Sequence, residues 1–279
     1  MAITISMGIG LSYINKSKQS VTDEQFLLQV SMTIDDVLNI LKNSKDLESV
    51  NNSTTFRLFL DQVSFMVFER NGIKVVLEIS SARSKINPNI FYNEERLNIF
   101  KVFLSNKMVN IDYADMLYDS INGIKEDASY KTDIFIYNKY LFRDYIASYE
   151  HLEKIDRIYK NKYHDNSVEK LNTKELFYII NDKNSSIDLN YATPEAWEIM
   201  LGCYEDRAVE LYSNAGSYEA LSDIQLTPYE ESMIAKFNTS FYEPYLDVKI
   251  ELLQNEKKAN IRFEYNLQEK RGSNFVIKI

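Results

Sequence analysis

Cysteine is almost missing from this chain: Cys203 stands alone among 279 residues. A single thiol closes no intramolecular disulfide and builds no cysteine-based zinc site, so a disulfide-stapled scaffold and a zinc-ribbon fold are excluded. Histidine is nearly as scarce, with only His151 and His164, and neither sits in an HExxH pattern. Seven glycines and four prolines leave no Gly/Ser/Pro-rich linker and no collagen repeat. No apolar run approaches the ~18 residues of a membrane span. Met1 to Leu11 is mildly apolar but lacks the basic start and small-residue cleavage site of a secretory signal. The expected location is the cytoplasm, or an assembly formed there, a virion included.

What is present is ordinary for a folded protein: 45% hydrophobic and 26% charged residues. Asn, Lys, Ile and Tyr are plentiful, which fits an AT-rich bacterial, phage or viral genome. The net charge of −9 is unevenly spread, because residues 167–240 hold 13 acidic and 5 basic side chains. A surface built from that stretch repels phosphate backbones.

Hydrophobic periodicity gives a coarse element map. Residues 2–6 and 25–32 read as strands, followed by a helix that starts at Thr33. The alternative is one longer helix from Thr22, with Thr22 and Gln25 as a capping pair. Residues 56–80 read as an antiparallel hairpin, with Asn71-Gly72 supplying the positive φ angles of a tight turn. Asn93 caps a helix through Met108, and residues 111–122 form another that stops at Gly123. Residues 133–163 read as one long helical stretch, with Leu141, Tyr145, Tyr149, Leu152, Ile155 and Tyr159 three or four apart. Thr173 starts a helix through Ile180. Thr193-Pro194 and Thr227-Pro228 are helix starts, a hydroxyl cap before proline, and Glu230 completes a capping box with Thr227. The first of these helices is expected to stop near Asn214 to Gly216. The two Thr-Pro pairs are 34 residues apart, but no third copy supports a helical repeat. Residues 246–279 alternate apolar and polar in three runs, a meander with one buried and one wet face.

The order strands, helices, strands predicts an α+β fold, with antiparallel strands at both ends, the 56–80 hairpin and the 246–279 meander, around a mainly helical middle. The meander is expected to join the hairpin in one sheet. The chain reads as one α+β unit over 1–279, with sub-units 1–123 (mixed), 124–240 (helical) and 241–279 (meander) as the division if it has one.

Several groupings resemble chemistry without completing it. Gly8 and Gly10 follow a strand candidate as in a dinucleotide loop, but Tyr13 takes the third glycine's place and blocks close approach of a phosphate. Asp61 and Glu78 fall on the two expected hairpin strands, the placement of metal-dependent nuclease carboxylates, but Ser80 stands where the lysine is required. Asp112, Asp115 and Asp119 would share a helix face and read as a solvated acidic face, as do Glu205, Asp206 and Glu210. Cys203 lies inside a helical pattern and reads as a small buried hydrophobe. Lys257, Lys258, Arg262, Lys270 and Arg271 could touch phosphates, but Glu256, Glu264 and Glu269 interleave with them. Twenty tyrosines and fifteen phenylalanines are many. Tyr137, Tyr140, Tyr145, Tyr149, Tyr159 and Tyr163 cannot all face one core, and tyrosine suits partly wet contacts.

No catalytic, metal or cofactor residue set stands complete. The sequence therefore points to a structural or adaptor protein that works through protein–protein interfaces with itself or others. A phage particle, tail or secretion-type assembly is the expected setting. The alternatives are a metal-dependent nuclease or other hydrolase using Asp61 and Glu78, and a nucleic-acid-binding accessory protein using the C-terminal turns.

Overall fold

The computed structural model describes residues 23–70, 72–125 and 129–279. The α+β order holds: antiparallel strands come from both ends of the chain and helices fill the middle. The chain divides into two compact units, Met1–Ala82 with Pro244–Ile279, and Arg83–Glu243. The expected strand at 2–6 and the Gly8, Gly10 and Tyr13 grouping lie outside the described residues.

The first unit begins with helix α1, Asp23–Asn43, a single helical turn Lys45–Glu48, and helix α2, Ser53–Val63. Strands β1 (Phe65–Arg70), β2 (Ile73–Ser81), β3 (Tyr245–Gln254), β4 (Lys257–Asn266) and β5 (Arg271–Lys278) form one antiparallel sheet in that order. The meander thus joins the hairpin as expected. The whole of Arg83–Glu243 is inserted between two hydrogen-bonded neighbours, since Ile79 pairs with Val248 and Ser81 with Leu246. Alternation decides the faces. Val75, Leu77 and Ile79 on β2, Val248, Ile250 and Leu252 on β3, and Ile261, Phe263 and Tyr265 on β4 are buried. Lys74, Glu78, Lys249 and Asn260 are exposed on the other face.

Two strand expectations fail here. Residues 25–32 are helical, within α1, so one longer helix runs from Asp23 in place of strand and helix, while the Thr22 of the expected capping pair lies outside the described residues. Phe26, Val30, Thr33, Val37 and Leu41 are buried at spacings of three and four, whereas Leu27 and Leu28 are exposed. Residues 56–63 are helical as well. Phe56, Phe59, Leu60 and Val63 make an i, i+3, i+4, i+7 stripe, and Asn52 with Thr55 forms the capping box that starts α2. The hairpin is therefore confined to β1 and β2. Its turn joins Arg70 to Ile73 with Gly72 at φ +77°, while Asn71 lies outside the described residues.

The second unit packs helices α3 (Glu94–Asn106), α4 (Asp112–Ile121), α5 (Tyr149–Tyr163), α6 (Pro194–Leu201), α7 (Glu205–Asn214) and α8 (Pro228–Ile234). Its core is aromatic. Phe91 and Phe100 stack at 4.4 Å and Phe177 meets Phe91 edge-on. Trp197, Tyr113 and Tyr159 are fully buried beside them. The expected caps at Asn93, Thr193 and Thr227 all form.

Three helix lengths differ from expectation. The Thr173 helix is one turn, Thr173–Leu176, because Phe177 turns extended and bridges Ile86. The Thr193 helix stops at Leu201, where Gly202 adopts φ +62°, and α7 is a separate helix. The 133–163 stretch breaks into a single turn, Ile134–Tyr137, a loop, and α5, capped by Ser148. The cause of the break is remote in sequence. Asn89 is fully buried; its Nδ2 donates to the carbonyls of Ile146 (3.1 Å) and Ile180 (2.8 Å), and its Oδ1 accepts from the Ile146 N–H (2.6 Å). A backbone satisfied in this way has no helical hydrogen bond to make.

Buried carboxamides recur as loop fasteners. Asn190 accepts from the N–H groups of Gly216 and Tyr218 and donates to the carbonyls of Tyr218 and Phe241. Asn87 donates to the Asp182 carbonyl and the Ser185 hydroxyl. Asp188, also buried, accepts from the N–H groups of Asn190 and Glu243, and its own N–H donates to the Arg83 carbonyl. It thus ties together the two ends of this unit.

Candidate interaction surfaces

Among the described residues no group of three or more His, Cys, Asp or Glu side chains could hold a metal ion. No helix among them is long and apolar enough to cross a membrane.

Asp61 and Glu78 do not lie on paired strands, which corrects that expectation. Asp61 is on the exposed side of helix α2. Glu78 is on the wet face of β2, with Lys249 Nζ 3.7 Å away. Ser80 shares that wet face and is exposed. Asp112, Asp115 and Asp119 do not act together either. Asp115 pairs with Lys101 at 2.7 Å, and Asp119 is fully buried rather than on a solvated face. His151 and His164 sit at opposite ends of α5. His151 is buried with its Nδ1 accepting the Ala147 N–H, and His164 caps the far end at φ +51°. Cys203 lies in the short connection between α6 and α7, not inside a helix, and burial pushes its thiol up to about 11. All five C-terminal cations have acidic partners: Lys257 with Asp23, Lys258 with Glu251, Arg262 with Asp247, Lys270 with Glu48 and Arg271 with Glu269.

The tyrosines are sorted by the broken helix. Tyr159 is buried, and Tyr149 anchors its hydroxyl on the Phe177 carbonyl. Tyr137 and Tyr140 stand outside, 79% and 102% exposed, with Ile136 and Phe142 beside them in sequence and also exposed. These four side chains form an apolar crown on a loop that is firmly held. At its entry the Asp119 carboxylate accepts from the N–H groups of Lys131 (2.9 Å) and Thr132 (2.7 Å) and from the Thr132 hydroxyl. Burial raises the Asp119 pKa, and those same bonds counter the rise. Ile134 and Phe135 turn inward as Ile136 and Tyr137 turn outward. The Arg143 guanidinium lies 4.3 Å from the Phe135 ring centre and donates to the Tyr130 hydroxyl at 2.9 Å. Asn138 donates back to the Ile134 carbonyl. At the exit Asp144, at φ +135°, donates its N–H to the Ser120 carbonyl, and Asn89 grips Ile146. A crown fixed in this way loses little conformational freedom when it is covered, which is what a docking loop requires.

The strand edges are a second apolar feature. β1 shows Phe65 and Val67, and β5 shows Phe275, Val276 and Ile277, all exposed. The acidic block 167–240 lies wholly in the second unit, with Glu205, Asp206 and Glu210 exposed on α7.

No protein-family model matches the chain, and no curated protein matches it. The fold is nonetheless similar to one already solved in a secretion system. A chain in the crystal structure of the GspK-GspI-GspJ complex from the enterotoxigenic Escherichia coli Type 2 Secretion System aligns with a TM-score of 0.54. Identity is 13%, and the alignment covers 92% of this chain and 95% of that one. At that identity the likeness is one of fold. It takes in nearly the whole chain.

Proposed function

We propose that this chain is a structural subunit of a multi-protein assembly, of the secretion type, that docks to protein partners through its surfaces and performs no chemistry. The observation that carries the reading is the crown: four apolar side chains, two of them tyrosines with almost no neighbours, held on a loop fastened at both feet. Large rigid aromatic groups in that state are the usual anchors of protein interfaces, each worth about 2 kcal/mol or more when covered. The fold likeness to a chain of a three-protein secretion complex supports the same reading. The hydrolase alternative loses the paired-strand placement of Asp61 and Glu78, and the cations of the nucleic-acid alternative are engaged by acids.

Site-specific photocross-linking tests the reading. A benzoylphenylalanine at position 140 should give discrete protein adducts in the cells that make the chain, and one at the exposed position 35 should not. The double variant Tyr137→Ser/Tyr140→Ser should lower recovery of the complex about tenfold. Equal cross-linking at both positions, or full recovery with the double variant, would defeat it.

A further inference from the structure

A second surface, apart from the crown, carries a partner preference of its own. Between Pro194 and Ala235 there are nine acidic residues and one basic residue, Arg207. Arg207 is fully engaged: it meets Glu210 at 2.9 Å, Glu230 at 3.1 Å and the Gln225 carbonyl at 3.1 Å. That contact places α7 beside α8. Glu198 and Glu205 share Lys107. Asp206 and Glu231, both exposed, have no ion-pair partner among the described residues.

The same surface is not merely acidic. Tyr204, Val209, Tyr212 and Tyr229 are exposed there. Ala208 and Leu211 face the core, so Val209 and Tyr212, three apart, lie on the outward side of α7 next to Asp206. The Tyr229 hydroxyl reaches to 3.5 Å from where a Gly202 side chain would begin, so it stands at the connection that leads to Tyr204. Exposed rings and carboxylates without an ion-pair partner thus stand on α7, on α8 and on the connection before α7, with the Arg207–Glu230 pair linking the two helices. Water is a poor partner for the rings, and an acidic or neutral protein surface is a poor partner for the carboxylates.

We infer that the outward face of α7 and α8 is a docking site for a cationic amphipathic segment of a partner protein, one that sets lysines or arginines on Asp206 and Glu231 and apolar side chains on Tyr212 and Val209. The inference is independent of the crown, and Tyr140→Ser leaves it untouched.

The test uses the full chain and three labelled peptides: a helical leucine–lysine peptide, the same peptide with serine for leucine, and the same with glutamate for lysine. The leucine–lysine peptide should bind one-to-one, the serine version about tenfold more weakly, and the glutamate version not at all. Asp206→Lys/Glu231→Lys and, separately, Tyr212→Ala should each weaken the leucine–lysine peptide about tenfold or more. Asp35→Lys/Glu256→Lys changes net charge equally but on exposed positions of the other unit, and should cost no more than about twofold. Equal losses from the two charge-reversal pairs would show attraction to overall charge and overturn the inference. So would serine–lysine binding as tight as leucine–lysine, or self-association of the chain that occludes the face in light scattering. Circular dichroism confirms that each variant is folded.

Discussion

Replacing Asn89 with alanine tests whether one carboxamide shapes the loop beneath the crown. The substitution removes three hydrogen bonds at a site with no solvent exposure. It leaves the Ile146 N–H and the Ile146 and Ile180 carbonyls without a partner. A buried group stranded in this way costs about 1–3 kcal/mol. Allowing for a water entering the space, the three together should lower stability by roughly 3–6 kcal/mol, a large part of the ~5–15 kcal/mol of a typical domain. The sole tryptophan, Trp197, is buried in the same unit, so urea unfolding followed by its fluorescence reads this unit and not the sheet. Amide exchange at Ile146 should accelerate well beyond the change in global stability. Asn89→Asp is the informative companion. It keeps the size and one acceptor but turns a carboxylate oxygen, an acceptor, toward two carbonyls where the amide had a donor, so it should be at least as damaging at neutral pH and recover in part when acid restores a proton. A loss below about 1 kcal/mol for Asn89→Ala, with unchanged exchange at Ile146, would show that packing alone sets the loop.

The sheet and the buried aspartates give two further tests. A side chain at Gly272 would begin 2.8 Å from Leu38 Cδ2 and from Phe275 Cζ, so Gly272→Ala should destabilise the first unit by about 1–2 kcal/mol in thermal melts, and a neutral or stabilised melt would contradict the packing of α1 on β5. In the second unit, burial pushes Asp188 up to about 7 against the Glu243 and Asn190 N–H bonds, and pushes Asp156 up to about 6 against the Tyr113 hydroxyl. An unfolded aspartate titrates near about 4, so between about pH 4 and 7 the folded unit holds more protons than the unfolded chain, and stability falls as pH rises. The Trp197 urea midpoint should therefore be higher at about pH 5 than at about pH 8, and Asp156→Asn should flatten the difference; a midpoint that climbs with pH refutes the assignment.

Local signals in the sequence were read correctly where the cause is local. Asn93, Thr193 and Thr227 cap their helices because an N-terminal cap needs only its own side chain and the next turn. The alternation survives over residues 246–266, because every other residue of β3 and β4 meets the core, but not on the edge strand β5, where Phe275, Val276 and Ile277 are all exposed. At 25–32 and 56–63 apolar content suggests strands but spacing decides for helix, since Leu27, Leu28 and Leu58 are apolar yet exposed, and Phe56, Phe59, Leu60 and Val63 have the helical period. The break before α5 has one local sign, the Ser148 hydroxyl that caps the new helix. It carries neither glycine nor proline, and the side chain that enforces it, Asn89, is 57 residues away. The interface itself was half visible: the tyrosines were plain, but which of them the fold would leave outside depended on that break.

The insertion of Arg83–Glu243 between β2 and β3 also has a kinetic consequence. Bringing those strands together across an unstructured chain of that length costs roughly 3 kcal/mol more in loop closure than an ordinary short hairpin. If the helical unit forms first, Asp188 has already drawn Arg83 and Glu243 to neighbouring positions, and the sheet closes as though across a tight turn. The expected sequence of events is the helical unit first and the sheet last, which makes the inserted body a chaperone in cis for the strands that flank it.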